Sequence, residues 1–185
     1  IELYSVLRTS RAIERCDVAV VVLDAEKGLE DQDKKIINMV DDARKGMLIA
    51  VNKWDLIEKD TQTADKYVKA IYELIRTYDY VPIIFVSALT KQRISKIIEY
   101  CKNINNLRKN RIPTSQLNKI MLPIFERTPP PAVQGKDLRI SYITQVKTEP
   151  PIFAFFCNHP QLIPDSYKRY MERILRENFD FSGSP

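Results

Sequence analysis

Residues 47–55 read Met-Leu-Ile-Ala-Val-Asn-Lys-Trp-Asp. The apolar run lacks the alternation of a half-exposed strand, so residues 47–51 are predicted as a strand buried on both faces, with the polar Asn52-Lys53-Trp54-Asp55 at its C-terminal end. Runs of the same kind lie to either side, VAVVVL at residues 18–23 and IIFV at residues 83–86. Helical spacing fills the intervals. Residues 30–45 place Ile36, Ile37, Val40 and Ala43 on one face, and residues 63–78 do the same with Tyr67, Ala70, Ile71, Leu74, Ile75 and Tyr78. Ile94, Ile97, Ile98, Cys101 and Ile104 mark a helix after the third run. With a further helix across roughly residues 5–15, repeated crossovers imply an α/β fold, a parallel sheet with helices on its faces.

The pattern changes beyond this point. Residues 103–111 are polar and basic, and Pro113 ends the preceding helix. Thr114-Ser115 is placed to cap a new helix running through Leu117, Ile120 and Met121, which Pro123 should kink or shorten. Pro129-Pro130-Pro131 reads as a stiff spacer. Leu138, Ile140, Tyr142, Thr144 and Val146 then alternate with Arg139, Ser141, Ile143 and Gln145 as in a half-buried strand, with residues 152–157 as its partner. A helix over residues 165–178 would bury Tyr167, Tyr170, Met171, Ile174 and Leu175 and turn Lys168, Arg169, Arg173 and Arg176 outward. The division is therefore 1–110, α/β, and 111–185, a small α+β unit of order α-β-β-α.

Composition excludes several classes. Hydrophobic residues make up 44% and charged residues 29% of the 185, enough apolar surface for a core and too little charge for a disordered chain. The longest apolar run falls far short of the ~20 residues that cross a bilayer, and the first residues, Ile-Glu-Leu-Tyr-Ser, lack the basic start and long apolar stretch of a secretory leader. No membrane partner is expected. Cys16, Cys101 and Cys157 are odd in number, far apart and outside any CxxC pair, as suits reduced thiols in the cytoplasm. The net charge of +5 admits an acidic partner, yet residues 1–110 hold 19 basic against 17 acidic side chains and residues 111–185 hold 10 against 7. Neither half is strongly basic.

The chemistry concentrates at the ends of two strands, where open parallel sheets bind ligands. In Asn52-Lys53-Trp54-Asp55, an NKxD pattern, the Asp55 carboxylate can accept hydrogen bonds from guanine N1–H and the 2-amino group, a donor pair that adenine does not present. Asn52 can reach the N7/O6 edge and tie neighbouring loops together, the Lys53 stem can lie flat along the base, and Trp54 is expected in the core. The following strand ends in Ser87-Ala88-Leu89, where the Ala88 N–H is the natural donor to guanine O6 and Leu89 would cover the base. His159 reads as part of a turn, and neither a metal cluster nor a nucleophile triad is visible. Hydrolysis has no visible machinery either. With only Gly28, Gly46, Gly135 and Gly183, no GxxxxGK phosphate loop can be written. Asp24 to Gly28 is one residue too long for a DxxG switch and reads as a strand-end aspartate before a turn.

The segments VVVLDAEKG, VNKWD, FVSALTKQRI, RTPPPAVQGK and PDSYKRY, in this order, resemble the second GTPase domain and the KH-like domain of the Der (EngA) family of tandem GTPases. The resemblance spans nearly the whole chain. It implies a partial P-loop GTPase fold followed by a KH-like domain, GTP or GDP as ligand, Mg only with the half of the site not seen here, and the large ribosomal subunit with its rRNA as partners. It further implies that the stretch is truncated, with earlier GTPase strands and a final KH-like strand lacking, and that such a fragment is inactive in hydrolysis by itself. Removing three strands would leave an open edge on residues 18–23, which either the missing region or another chain would cover. Two other readings stay open, an RNA- or ribosome-binding module and a domain-docking module, neither hydrolysing nucleotide. Lys168, Arg169, Arg173 and Arg176 are the candidate RNA or docking face, although the GxxG loop of RNA-clamping KH domains is absent.

Overall fold

The structure, a computed structural model, describes residues 2–58 and 60–185, with side chains from residue 6 onward. Ile1, the first residue of the stretch read for a leader, lies outside the described residues. The chain forms two compact units, Ile1–Arg108 with Phe181–Pro185, and Lys109–Asp180.

In the first unit the elements are α1 (Glu2–Arg15), β1 (Val18–Asp24), α2 (Asp31–Asp42), β2 (Gly46–Asn52), α3 (Thr63–Leu74), β3 (Ile83–Phe85) and α4 (Ile94–Lys109). The sheet has the order β1-β2-β3 and is parallel throughout, with Val18 opposite Gly46, Asp24 opposite Asn52 and Val51 opposite Phe85. The central strand is the one predicted from its unbroken apolar run, and Met47, Leu48, Ile49, Ala50 and Val51 are all fully buried. Met47, Ile49 and Val51 join Val21 and Leu23 of β1, Ile37 and Val40 of α2, and Ile71 and Ile75 on one side. Leu48 and Ala50 join Ile84, Val86 and Ile104 of α4 on the other.

β1 departs from the expectation of burial on both faces. Val18 and Val20 are only partly covered and Val22 is 58% exposed, because the second cluster is centred on β2, β3 and α4. For the same reason Ile94 and Ile98 of α4 stand exposed. α2 stops at Asp42, short of Lys45, because Arg44 takes a left-handed backbone, φ 53°, and Ala43 is exposed. α3 also ends early, at Leu74. Its covered side is Ile71 with the partly buried Tyr67, Val68 and Tyr72, leaving Ala70 and Leu74 outside. The polar stretch 103–109 remains helical, and Arg108 explains why: it is buried, and its guanidinium donates to the carbonyls of Asp17 and of Arg44, the latter at 3.0 Å.

Phe181–Pro185 packs with this unit. Gly183 donates to Tyr80 O at 2.8 Å and accepts from Met47 N–H at 2.7 Å, at the start of β2. Its φ is +71°, and a Cβ there would lie 2.7 Å from the Met47 carbonyl, so no other residue fits.

The second unit runs α5 (Thr114–Arg127), β4 (Ile140–Lys147), β5 (Ile152–Cys157) and α6 (Asp165–Asn178), the α-β-β-α order that was expected, with the strands antiparallel. Pro123 does not shorten α5. The exposed ring removes one N–H donor, while Leu117, Met121 and Phe125 stay buried along a single face and carry the helix to Arg127. The face of β4 is the clearest reversal. Register shifts between Ile140 and Tyr142 and between Gln145 and Lys147 turn Ile143 and Gln145 inward, while Tyr142 and Val146 are 45% and 55% exposed. One extra residue in a strand swaps its faces, which strict alternation cannot anticipate. Gln145 tolerates burial because both ends of its amide are paired, Nε2 to Asn110 O at 3.2 Å and Oε1 from Ile112 N–H at 2.8 Å. Tyr167, buried against Thr128 O at 2.7 Å, has its hydroxyl pushed up to about 12 by desolvation.

Replacing Gln145 by Val leaves the buried Ile112 N–H without an acceptor and should cost about 1–3 kcal/mol in urea unfolding, whereas Val146→Gln on the exposed side should change stability by under about 0.5 kcal/mol. The Tyr167 shift has a definite sign. The unfolded chain gives up this proton near pH 10 and the folded chain near 12, so the contribution is complete below pH 10 and is lost as pH rises through about 12. Tyr167→Phe should flatten that part of the stability profile.

Candidate functional site

β2 delivers the chain to the site with its last residue, Asn52, opposite Asp24 of β1. Lys53 then turns in the left-handed region, φ 62° and ψ 29°, and Trp54–Leu56 follow as a single 3₁₀ turn closed by Leu56 N–H to Lys53 O at 3.0 Å. Trp54 holds this turn down. Its N–H donates to Val86 O at 3.1 Å, and its indole is 4% exposed, with ring centroids 4.1 Å from Phe85 and, edge-on, 5.4 Å from Tyr67. Lys53 before it is exposed, and Asp55 after it is half-buried.

Asp55 follows, with Oδ1 buried and without a hydrogen-bond partner among the described residues. Asn52 Oδ1 accepts the Ala88 N–H at 3.0 Å, which ties the two strand-end loops together. That is the second of the two roles expected of Asn52. The Ala88 N–H is therefore engaged within the protein, where it was expected to face a ligand. Ser87 is fully buried and shapes its loop, Oγ accepting Thr90 N–H at 3.0 Å and its N–H donating to Gln92 O at 3.2 Å. Leu89 is 84% exposed.

Lys53 has a partner that the sequence did not reveal. Its Nζ lies 2.6 Å from Asp24 Oδ2 and 3.8 Å from Glu26 Oε2, and Asp24 Oδ1 accepts the Glu26 N–H at 3.0 Å. The hydrogen bond from Lys53, then that from Glu26 N–H, holds the Asp24 carboxyl below the usual range, and Asp24 raises Lys53 in turn. Gly28 N–H donates to Asp24 O at 2.9 Å, so the reading of Asp24 as a strand-end residue before a turn stands, with an ion pair added. The signal was the parallel register that places residue 24 beside residue 52.

The helix charges in the second unit are largely self-paired. Lys168 meets Asp165 at 2.8 Å, Arg176 meets Glu172 at 3.0 Å, and Arg173 meets Glu177 at 3.7 Å while stacking 5.6 Å from the Tyr170 ring centre; Arg169 is exposed. Among the described residues no cluster of His, Cys, Asp or Glu could hold a metal, and no helix is long and apolar enough to cross a membrane.

Residues 6–106 match the family of the elongation factor Tu GTP binding domain, and residues 111–185 match the KH-domain-like family of EngA bacterial GTPase enzymes, C-terminal. The chain is 54% identical to GTPase Der of Chloroherpeton thalassium and 46% identical to GTPase Der of Chlorobium phaeobacteroides, over its full 185 residues. It belongs to the Der (EngA) GTPase family. The chain spans 42% of the length of these Der relatives. Among solved structures, Era in complex with MgGDPNP and a segment of 16S ribosomal RNA aligns with 91% of this chain and 62% of its own at 16% identity, with a TM-score of 0.44. The expected α/β fold with a KH-like part is what the two family matches together describe.

Truncating Trp54 to Ala removes the wedge between Phe85 and Tyr67 and should lower stability by about 3–5 kcal/mol in chemical denaturation.

Proposed function

We propose that this chain carries the guanine-reading half of a GTP-binding, GTP-hydrolysing protein, with residues 1–110 as the GTPase part and residues 111–185 as the KH-like part. The observation that carries the reading is the buried, unpartnered Asp55 Oδ1 at the C-terminal end of a fully buried central strand. A desolvated carboxylate oxygen without a donor is costly, and guanine offers N1–H and a 2-amino group at the spacing of one carboxylate. Adenine leaves the same oxygen unpaired, so such a site can discriminate by about 10⁴ to 10⁵.

The remaining residues act around that contact. Asn52 fixes the loop bearing Ser87, Ala88 and Leu89, and for Ala88 N–H to reach guanine O6 it must be shared with, or released by, Asn52 Oδ1. Leu89, freely exposed, is the residue that can close over the base. Lys53 supplies an aliphatic floor. Phosphate and Mg do not fit the residues present, since the sequence has no GxxxxGK loop and the described residues hold no metal cluster, so the hydrolytic step is assigned to the rest of the full-length protein. The large ribosomal subunit and its rRNA are proposed as partners of that whole protein, acting in the cytoplasm. The pairing of Lys168, Arg173 and Arg176 with acids of the same helix supports a docking role for these residues and the exposed Arg169 over a bare phosphate-binding face.

Titration calorimetry on the full-length protein with its first GTPase domain silenced tests the reading. GDP should bind and ADP should not. Asp55→Asn should weaken GDP by at least about a hundredfold and admit xanthosine diphosphate, whose C2 carbonyl accepts where guanine donates. An unchanged preference for GDP over the xanthine nucleotide would overturn it.

A further inference from the structure

We infer that Asp24 is a positioning residue of this site, acting on the base through Lys53. The inference rests on the guanine reading and assigns a role to a residue outside the NKxD and Ser-Ala-Leu segments. Lys53 occupies a left-handed backbone conformation that non-glycine residues enter at a cost, and its side chain is the member of the loop with the most rotamer freedom to lose. The structure answers both problems with one contact. Asp24 Oδ2 lies 2.6 Å from Lys53 Nζ, so the ammonium is anchored and the aliphatic stem is stretched between a fixed Cα and a fixed head group.

Asp24 is itself held on three sides. It ends β1 directly opposite Asn52, with Ala25 N–H donating to Asn52 O at 2.9 Å, so the two loops start from a common register. Its other oxygen accepts the Glu26 N–H at 3.0 Å. The Tyr67 hydroxyl donates to the Ala25 carbonyl, and the same ring lies edge-on to Trp54 in the base-reading loop. The turn at residues 24–28 and the loop at residues 52–55 therefore share an anchor in α3, the Tyr67 side chain.

The chemistry of the pair matters to a ligand. Asp24, with Glu26 at 3.8 Å, neutralises the Lys53 ammonium and draws it toward the turn, so that the base meets methylenes where a free lysine would present a mobile charge. A ligand binding such a pre-set floor gives up less conformational freedom on the protein side, which appears as affinity. Freed from Asp24, Lys53 would have to be ordered by the nucleotide itself.

The test is a double-mutant cycle on the full-length protein, with the first GTPase domain silenced and GDP affinity as the readout. Asp24→Asn keeps an acceptor for the Glu26 N–H and removes the charge, and Lys53→Met keeps the stem and removes the head group. Asp24→Asn should weaken GDP by about tenfold, within the range of coupling between contacting residues, and should have no further effect in the Lys53→Met background. Asp24→Ser, which also caps the turn, should behave as Asp24→Asn and replaces it should that variant fold poorly. Equal losses in both backgrounds, or no loss, overturn the role of Asp24 acting through Lys53. The two readings fail separately: binding abolished by Asp55→Asn but untouched by Asp24→Asn defeats the positioning role alone, whereas binding indifferent to Asp55→Asn defeats the guanine site beneath it.

Discussion

A carboxylate oxygen that is buried and lacks a hydrogen-bond partner among the described residues must be held in place by what surrounds it. Asp55 Oδ1 is such an atom. Leaving a buried acceptor unpaired costs about 1–3 kcal/mol, and a fold keeps that cost only when the surroundings hold the atom firmly in place. Here the holding is done by a strand fully buried along residues 47–51 and by an indole wedged between Phe85 and Tyr67. The burial of β2 fixes where the loop begins, and that of Trp54 fixes where it goes. Between the two, Lys53 absorbs the turn in a left-handed conformation.

The coupling of the strand ends follows from the parallel register. β1 and β2 finish level, Asp24 beside Asn52, and β3 finishes so that Val86 O receives the Trp54 N–H. Three loops therefore emerge together, and side chains cross between them: Lys53 to Asp24, Asn52 to Ala88, Tyr67 to Ala25. None of these links is local in sequence. The first two are short in space because parallel strands bring their C-terminal ends to a single edge, and the third ties α3 to the turn after β1.

Much of this was legible in the residues. Continuous apolar runs located the three strands of the first unit, and the NKWD and SAL segments follow strand ends, as expected from the sequence. What was not legible depends on geometry between elements. Leu74 and Ile98 fit a helical face by spacing, yet the structure leaves both exposed, because spacing defines a stripe and not how wide its cover is. Gln145 lies inside and Tyr142 outside because a register shift in β4 swaps faces, and no residue type announces that shift. Asp24 could be read as a turn residue, but its ion pair with Lys53 needed the strand register. The return of Gly183 to the start of β2 had a faint signal in the Gly itself, whose partner lies more than a hundred residues earlier.

The proposed reading of two base donors by one carboxylate is measured directly by the affinity ratio of GDP to inosine diphosphate, since inosine lacks only the 2-amino group. A hydrogen bond to a charged acceptor is worth about 1.5–3 kcal/mol, so GDP should bind about 10- to 150-fold more tightly to the full-length protein with its first GTPase domain silenced, and the ratio should fall to about 1 in Asp55→Ala. A ratio near 1 in the unmutated protein, or one that survives the loss of Asp55, would contradict the account.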